Sequence, residues 1–221
     1  MKPPARKRLS PKETLRVAEI FARLAEVMPE PRTELVFQDP FTLVVAVALS
    51  AQATDKSVNK ATERLFAVAA TPQEMLDLGV EGLTPYIQSI GLYRTKAKNV
   101  VALSRILVEQ YGGAVPLERA ALQSLPGVGR KTASVVLNEL GIEPAIAVDT
   151  HVFRVAHRQK LSVGKTPDQV EADLMAITPR DYLVKAHHWL ILHGRYTCVA
   201  RKPKCWECVI ADLCPSRDLF I

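Results

Sequence analysis

Cysteine is absent from this 221-residue sequence until Cys198, and the four that occur end at Cys214. A disulfide framework is thereby excluded for most of the chain, and so short a cluster points to a metal centre. The basic start, with Lys2, Arg6, Lys7 and Arg8, is followed by no apolar segment of the secretory kind, and no run approaches the length of a membrane span. A cytoplasmic protein with no membrane partner is expected, its basic arm either solvated or touching phosphate. Asn-Gly and Asp-Gly are missing as well, which removes the usual two-residue hairpin signal. Without low-complexity tracts or internal repeats, any lobe boundary must fall in short turns, near Glu30-Pro31 and Gly141 to Pro144.

What the sequence does have is apolar material and surplus positive charge. Hydrophobic residues make up 48% and charged residues 24%, enough for one or two compact lobes. A formal net charge of +6 biases the surface towards a polyanion such as nucleic acid. Charge alone identifies no ligand, so the motifs must decide.

Helix starts are written repeatedly in one local chemistry, an oxygen-bearing cap followed by proline at the first helical position. Ser10-Pro11, Asp39-Pro40, Thr71-Pro72, Thr84-Pro85, Thr166-Pro167 and Thr178-Pro179 fit it. Glu13, Glu74 and Gln169 stand three residues after Ser10, Thr71 and Thr166, where a capping box needs them. Gly91, Gly112, Gly141 and Gly164 fall where helices should end. The apolar run Phe41 to Ala51 could be a buried strand on periodicity alone, but its length and Asp-Pro start favour a helix buried on most sides. An all-α protein is predicted.

Three strings carry chemistry. In Leu125-Pro126-Gly127-Val128-Gly129-Arg130-Lys131-Thr132-Ala133, two glycines precede an apolar helical run. Glycine permits positive φ and close backbone approach, and the unpaired N–H groups of the next helix's first turn suit a phosphate oxygen. Lys131 lies among those amides, where the helix field and Arg130 disfavour an extra cation and favour the free amine that a nucleophile requires. The plainer reading is an αα-hairpin turn with a solvated phosphate contact at Lys131. In Ala147-Val148-Asp149-Thr150-His151-Val152, Asp149 reads as a helix N-cap, a position that keeps a carboxylate ionised and able to stabilise a developing cation or deprotonate a nucleophile. Cys198-x6-Cys205-x2-Cys208-x5-Cys214 can surround one metal centre, with zinc an open alternative. His187, His188 and His193 read as packing residues rather than ligands.

Leu-Pro-Gly-Val-Gly-x-Lys-Thr-Ala resembles the helix-hairpin-helix motif of the endonuclease III family of DNA glycosylases. Val-Asp-Thr-His and the cysteine spacing resemble the same family, and the likeness runs from about Leu15 to about Pro215. It implies an all-α, two-lobed helix-hairpin-helix DNA glycosylase fold with a C-terminal [4Fe-4S] cluster loop. Residues 33–143 would form a six-helix barrel, and residues 1–32 and 144–221 the cluster domain, with DNA in the cleft between them. It further implies a DNA N-glycosylase and abasic-site lyase of base excision repair, acting on double-stranded DNA with damaged pyrimidines or abasic sites. Lys131 would form a Schiff base, Asp149 would be the second catalytic residue, and β-elimination would cut the strand 3′ of the site.

Other assignments follow from the same resemblance. Gln52 and Leu92 would fill the gap left by the extruded nucleotide. Gly127, Gly129, Arg130, Thr132 and His151, with Arg201, Lys202 and Lys204 of the cluster loop, would meet DNA. Cys198, Cys205, Cys208 and Cys214 would hold the [4Fe-4S] cluster. A monomer associated with the nucleoid is expected. Ser134 departs from the family pattern, which has asparagine after Thr-Ala, and puts rate or lesion preference in question. Two rivals stay open: a monofunctional adenine-mismatch glycosylase, which lacks the amine, and a non-catalytic iron–sulfur DNA-binding module.

Overall fold

The computed structural model describes residues 9–220, so the basic arm from Lys2 to Arg8 lies outside the described residues. Among the described residues there are ten α-helices, two short 3-10 turns and no strand. They divide into two compact units. Thr33–Glu143 forms one, and the described residues before Thr33 and from Pro144 onward form the other.

In the first of these, α2 (Pro40–Ser50) is the centre, with α3 (Asp55–Phe66), α5 (Tyr93–Tyr111) and α7 (Arg130–Glu139) packed on it. Its residues Phe41 to Val47 and Leu49 are all buried, so the apolar run forms a helix enclosed on most sides. Truncating any of its leucines would cost about 2–5 kcal/mol. The run folds as a helix because Asp39 starts one: its carboxylate accepts from Thr42 N at 2.8 Å while Thr42 Oγ1 accepts from Asp39 N at 3.0 Å. This reciprocal cap uses threonine where the usual pattern has glutamate or glutamine. Beyond these, α4 (Pro72–Ile87) packs on α3 and α5, and α6 (Arg119–Ser124) on α7.

The other unit contains α1 (Pro11–Val27), α8 (Thr150–Arg158), α9 (Pro167–Ile177) and α10 (Leu183–Tyr196), followed by the cysteine segment. Phe21, Tyr182 and Trp189 meet in its core, and the Trp189 indole N–H donates to Met28 O at 2.8 Å. Gly194 lets α10 approach α8: a Cβ there would lie 3.0 Å from both Cβ and O of His151.

Two predicted helix starts are corrected. Thr84-Pro85 lies inside α4, where Thr84 Oγ1 donates back to Val80 O at 2.7 Å; the break in that helix comes at Gly79, with φ of 64°. Thr178-Pro179 opens only the 3-10 turn Arg180–Tyr182, and Thr178 is the C-cap of α9. The boxes at Ser10/Glu13 and Thr71/Glu74 form in both directions. At Thr166 only half of one forms, because Gln169 Oε1 accepts from Lys165 N at 2.7 Å instead.

Candidate active site and metal centre

The glycine turn ends as the sequence predicts, at the N-terminus of a helix. Gly127 holds φ of 79°, and a Cβ there would come within 3.0 Å of the Asn99 side chain, so backbone and space both require glycine. Gly129 differs from expectation. It is the extended N-cap of α7, with φ of −82° and no atom near the place its Cβ would take, so it leaves open room in front of the helix amides. Arg130 and Lys131 open α7 and are both exposed, and Thr132 is half-buried. The Lys131 amine meets no partner among the described residues. Ser134, the departure from the family pattern, is buried and accepts from Arg119 Nη1 at 2.8 Å, while the same guanidinium pairs with Glu143 at 3.0 Å.

Gln52 and Leu92 lie in the same unit, each exposed in a turn. Both hold the left-handed conformation without being glycine, with φ of 56° and 61°. Leu92 is 60% exposed, which rules out an ordinary core leucine. The two turns lie next to each other: a Cβ added to Gly91 would stand 3.7 Å from Gln52 O.

In the other unit Asp149 caps α8. Its Oδ1 accepts from His151 N and Val152 N, each at 2.8 Å, while Oδ2 has no partner among the described residues. One oxygen therefore stabilises the helix and the other stays available for chemistry. His151 Nδ1 is 3.2 Å from Arg154 Nη2, so its ring is already engaged within the protein.

The four cysteines form no disulfide and line one cavity, together with Arg158, His193 and Lys204. Burial pushes the Cys208 thiol up to about 11, and the three neighbouring cysteines add to the rise; burial raises Cys214 as well. Thiols gathered in this way ionise only when positive charge is set among them, which an iron–sulfur cluster supplies. Among the described residues no three His, Cys, Asp or Glu side chains close around a single ion.

Arg154, Arg158 and Trp206 escaped the sequence reading. Arg154 donates to Cys198 O at 2.9 Å and Gly194 O at 2.6 Å, and Arg158 to Val199 O at 2.8 Å and Ala200 O at 2.9 Å, so α8 pins the start of the cysteine segment. His193 Nε2 sits 3.9 Å from Cys208 Sγ, and burial lowers this histidine to about 4, leaving it neutral at physiological pH. Arg201, Lys202 and Lys204 are exposed, Lys204 within 3.8 Å of Glu207, and the adjacent Trp206 is 75% exposed. Only the aromatic between two ligand-spaced cysteines could have drawn attention to Trp206.

Known proteins share this arrangement. The HhH-GPD superfamily of base excision DNA repair proteins matches residues 45–180, and the iron-sulfur binding domain of endonuclease III matches residues 198–214. Endonuclease III of Escherichia coli (strain K12) is 58% identical over 200 residues, covering 90% of this chain and 95% of that protein. The Haemophilus influenzae enzyme is 56% identical over 200 residues, covering the same shares of each chain. A trapped endonuclease III–DNA covalent intermediate superposes with a TM-score of 0.86 at 42% identity, over 96% of this chain and 99% of that one. A thermostable thymine-DNA glycosylase, at 22% identity and a TM-score of 0.78, shares the fold. With the superfamily match reaching from the core of α2 past α9 and the cysteine domain completing it, the chain belongs to the endonuclease III family of base excision DNA repair proteins.

Proposed function

We propose that the protein is a bifunctional DNA glycosylase and abasic-site lyase that excises damaged pyrimidines from duplex DNA, working as a single chain on nucleoid DNA. The observation that carries this reading is the exposed Lys131 side chain at the opening of α7, its amine without a partner among the described residues. The trapped covalent intermediate of a relative with the same fold supports it.

The chemistry follows from an amine and a carboxylate. The target carbon is hidden in the duplex, so the nucleotide is extruded at a cost of a few kcal/mol, least for a damaged base. Lys131 Nζ donates its lone pair to C1′, and the glycosidic bond breaks with its electrons leaving on the base. Asp149, whose Oδ2 has no partner among the described residues, stabilises positive charge developing on the sugar, and the attacking amine sheds a proton to water. Ring opening, with O4′ leaving as it takes a proton from water, gives an iminium between Nζ and C1′, which acidifies the C2′ hydrogen. Loss of that proton expels the 3′ phosphate, and water then releases Lys131 from the unsaturated aldehyde.

Gly127 and Gly129 let a phosphate approach the first amides of α7, while Arg201, Lys202 and Lys204 add cations on the cysteine segment. Cys198, Cys205, Cys208 and Cys214 would hold the [4Fe-4S] cluster, which when bound cross-links that segment and shapes its basic surface.

Borohydride should trap the protein on abasic-site DNA, and Lys131→Ala should abolish trapping while duplex binding survives. Trapping by the variant would move the nucleophile elsewhere.

A further inference from the structure

Lys96 is the only buried lysine among the described residues, 7% exposed, and the reaction above makes no use of it. It sits in the first turn of α5, and its Nζ donates to Leu49 O at 2.9 Å and Ala51 O at 2.6 Å, both at the C-terminal end of α2. That helix has no basic residue in its own last turn, so the cation its terminal carbonyls favour comes from α5. Burial lowers the ammonium below the usual lysine range, and two carbonyl acceptors offset that penalty by favouring the charged form.

What Lys96 ties together is specific. Ala51 directly precedes Gln52, and the backbone N–H of Lys96 donates to Leu92 O at 3.1 Å. One residue therefore holds the carbonyl before one left-handed turn residue and the carbonyl of the other. Such conformations persist in non-glycine residues only where surrounding contacts over-determine them. Gln52 and Leu92 are the only two of the kind in Thr33–Glu143.

We infer that Lys96 is a positioning residue for nucleotide extrusion, a clamp that sets the Gln52 and Leu92 turns in one register so that both side chains enter the duplex together. This rests on the reading that those two residues insert into DNA. Lys96→Met keeps the length of the side chain and removes the ammonium with its bonds to Leu49 O and Ala51 O, leaving the backbone bond to Leu92 O in place.

The experiment uses the full chain with 2-aminopurine beside an abasic-site analogue in duplex DNA, its fluorescence rising on insertion. Lys96→Met should lose most of that rise and slow single-turnover excision in duplex at least tenfold. Cleavage of abasic single-stranded DNA, which leaves no gap to fill, should stay within about twofold of wild type. Leu92→Ala and Gln52→Ala serve as references. If they lose the fluorescence change and Lys96→Met retains it, the clamp is overturned while the insertion reading stands. If both retain it, the insertion reading fails and takes the clamp with it. Should Lys96→Met not fold, hydrogen exchange on the wild type decides: binding the analogue duplex should raise protection at Ala53 and Lys96 together, and protection confined to one turn overturns the proposal.

Discussion

The proposed mechanism gives Asp149 a second job beside the helix cap, and substitution can separate the two. Oδ1 accepts from His151 N and Val152 N in the first turn of α8, while Oδ2 has no partner among the described residues and in the proposed mechanism faces the sugar. Asp149→Asn keeps an acceptor of the same shape, losing only the attraction of a charge for the helix end. For a half-buried residue that attraction is worth about 0.5 kcal/mol. Asp149→Ala loses the cap as well, about 1–2 kcal/mol in all. For a chain of this size each kcal/mol moves Tm by about 2–4 °C. Asp149→Asn should therefore melt within about 2 °C of wild type, and Asp149→Ala about 2–8 °C lower. Single-turnover base excision should fall in both variants by about 10²–10⁴, the range of a positioned acid–base group. Thermal circular dichroism and a gel-based excision assay measure the two effects on the same preparations. Excision by Asp149→Asn within threefold of wild type would refute the chemical role, and melting of Asp149→Asn as low as Asp149→Ala would refute the division of labour.

The glycine turn gives a second contrast: Gly127→Ala, strained by positive φ and crowded by Asn99, should lose about 1–3 kcal/mol in denaturant unfolding, whereas Gly129→Ala should keep its stability and lose duplex affinity at low salt. Gly194→Ala should also destabilise by about 1–3 kcal/mol, because its Cβ meets His151 and Val155 at 3.0 Å with little room for either to yield. For pH, Glu74 is held below the usual glutamate range by hydrogen bonds from Ala70 N and from Thr71. Its contribution is thus complete above the ordinary glutamate value near about 4.3 and is lost as pH falls through its depressed folded value. The Tm difference between wild type and Glu74→Ala should accordingly be present at pH 7 and vanish in acid; a difference that grows in acid would contradict the cap geometry. Anaerobically purified protein should be brown, with iron and sulfide in equal amounts, while one zinc per chain in colourless protein would overturn the cluster.

Much of the fold is legible because its instructions are local. Ser10, Asp39, Thr71 and Thr166 each start a helix through contacts within four residues, and that chemistry is written in the sequence itself. The two failures share a cause. At Thr84 and Thr178 the hydroxyl donates backward to the carbonyl four residues earlier, and no local pattern says which way a threonine will turn. The apolar run of α2 was decidable against a strand for the opposite reason, since its start is an oxygen cap followed by proline, which a central strand would not carry.

The residues expected to do chemistry stand at such local starts: Lys131 opens α7 behind a glycine, and Asp149 caps α8. Helix N-termini are where unpaired amides and exposed first-turn side chains coincide, so a chemical position and a structural punctuation mark are the same feature in the sequence. The supporting residues are of another kind. Lys96 reaches carbonyls 45 and 47 residues away, and Arg154 and Arg158 reach carbonyls 40 to 44 residues away. A backbone carbonyl has no residue identity, so these contacts have no partner type that a reader of the sequence could search for. A lysine among Ala97, Val100 and Val101 is only an anomaly in an apolar face until the fold places the end of α2 against it. It follows that substitutions at these clamps should look ordinary in sequence and act on the reaction through geometry, which is why the Lys96→Met comparison between duplex and single-stranded substrate discriminates where an overall activity measurement would not.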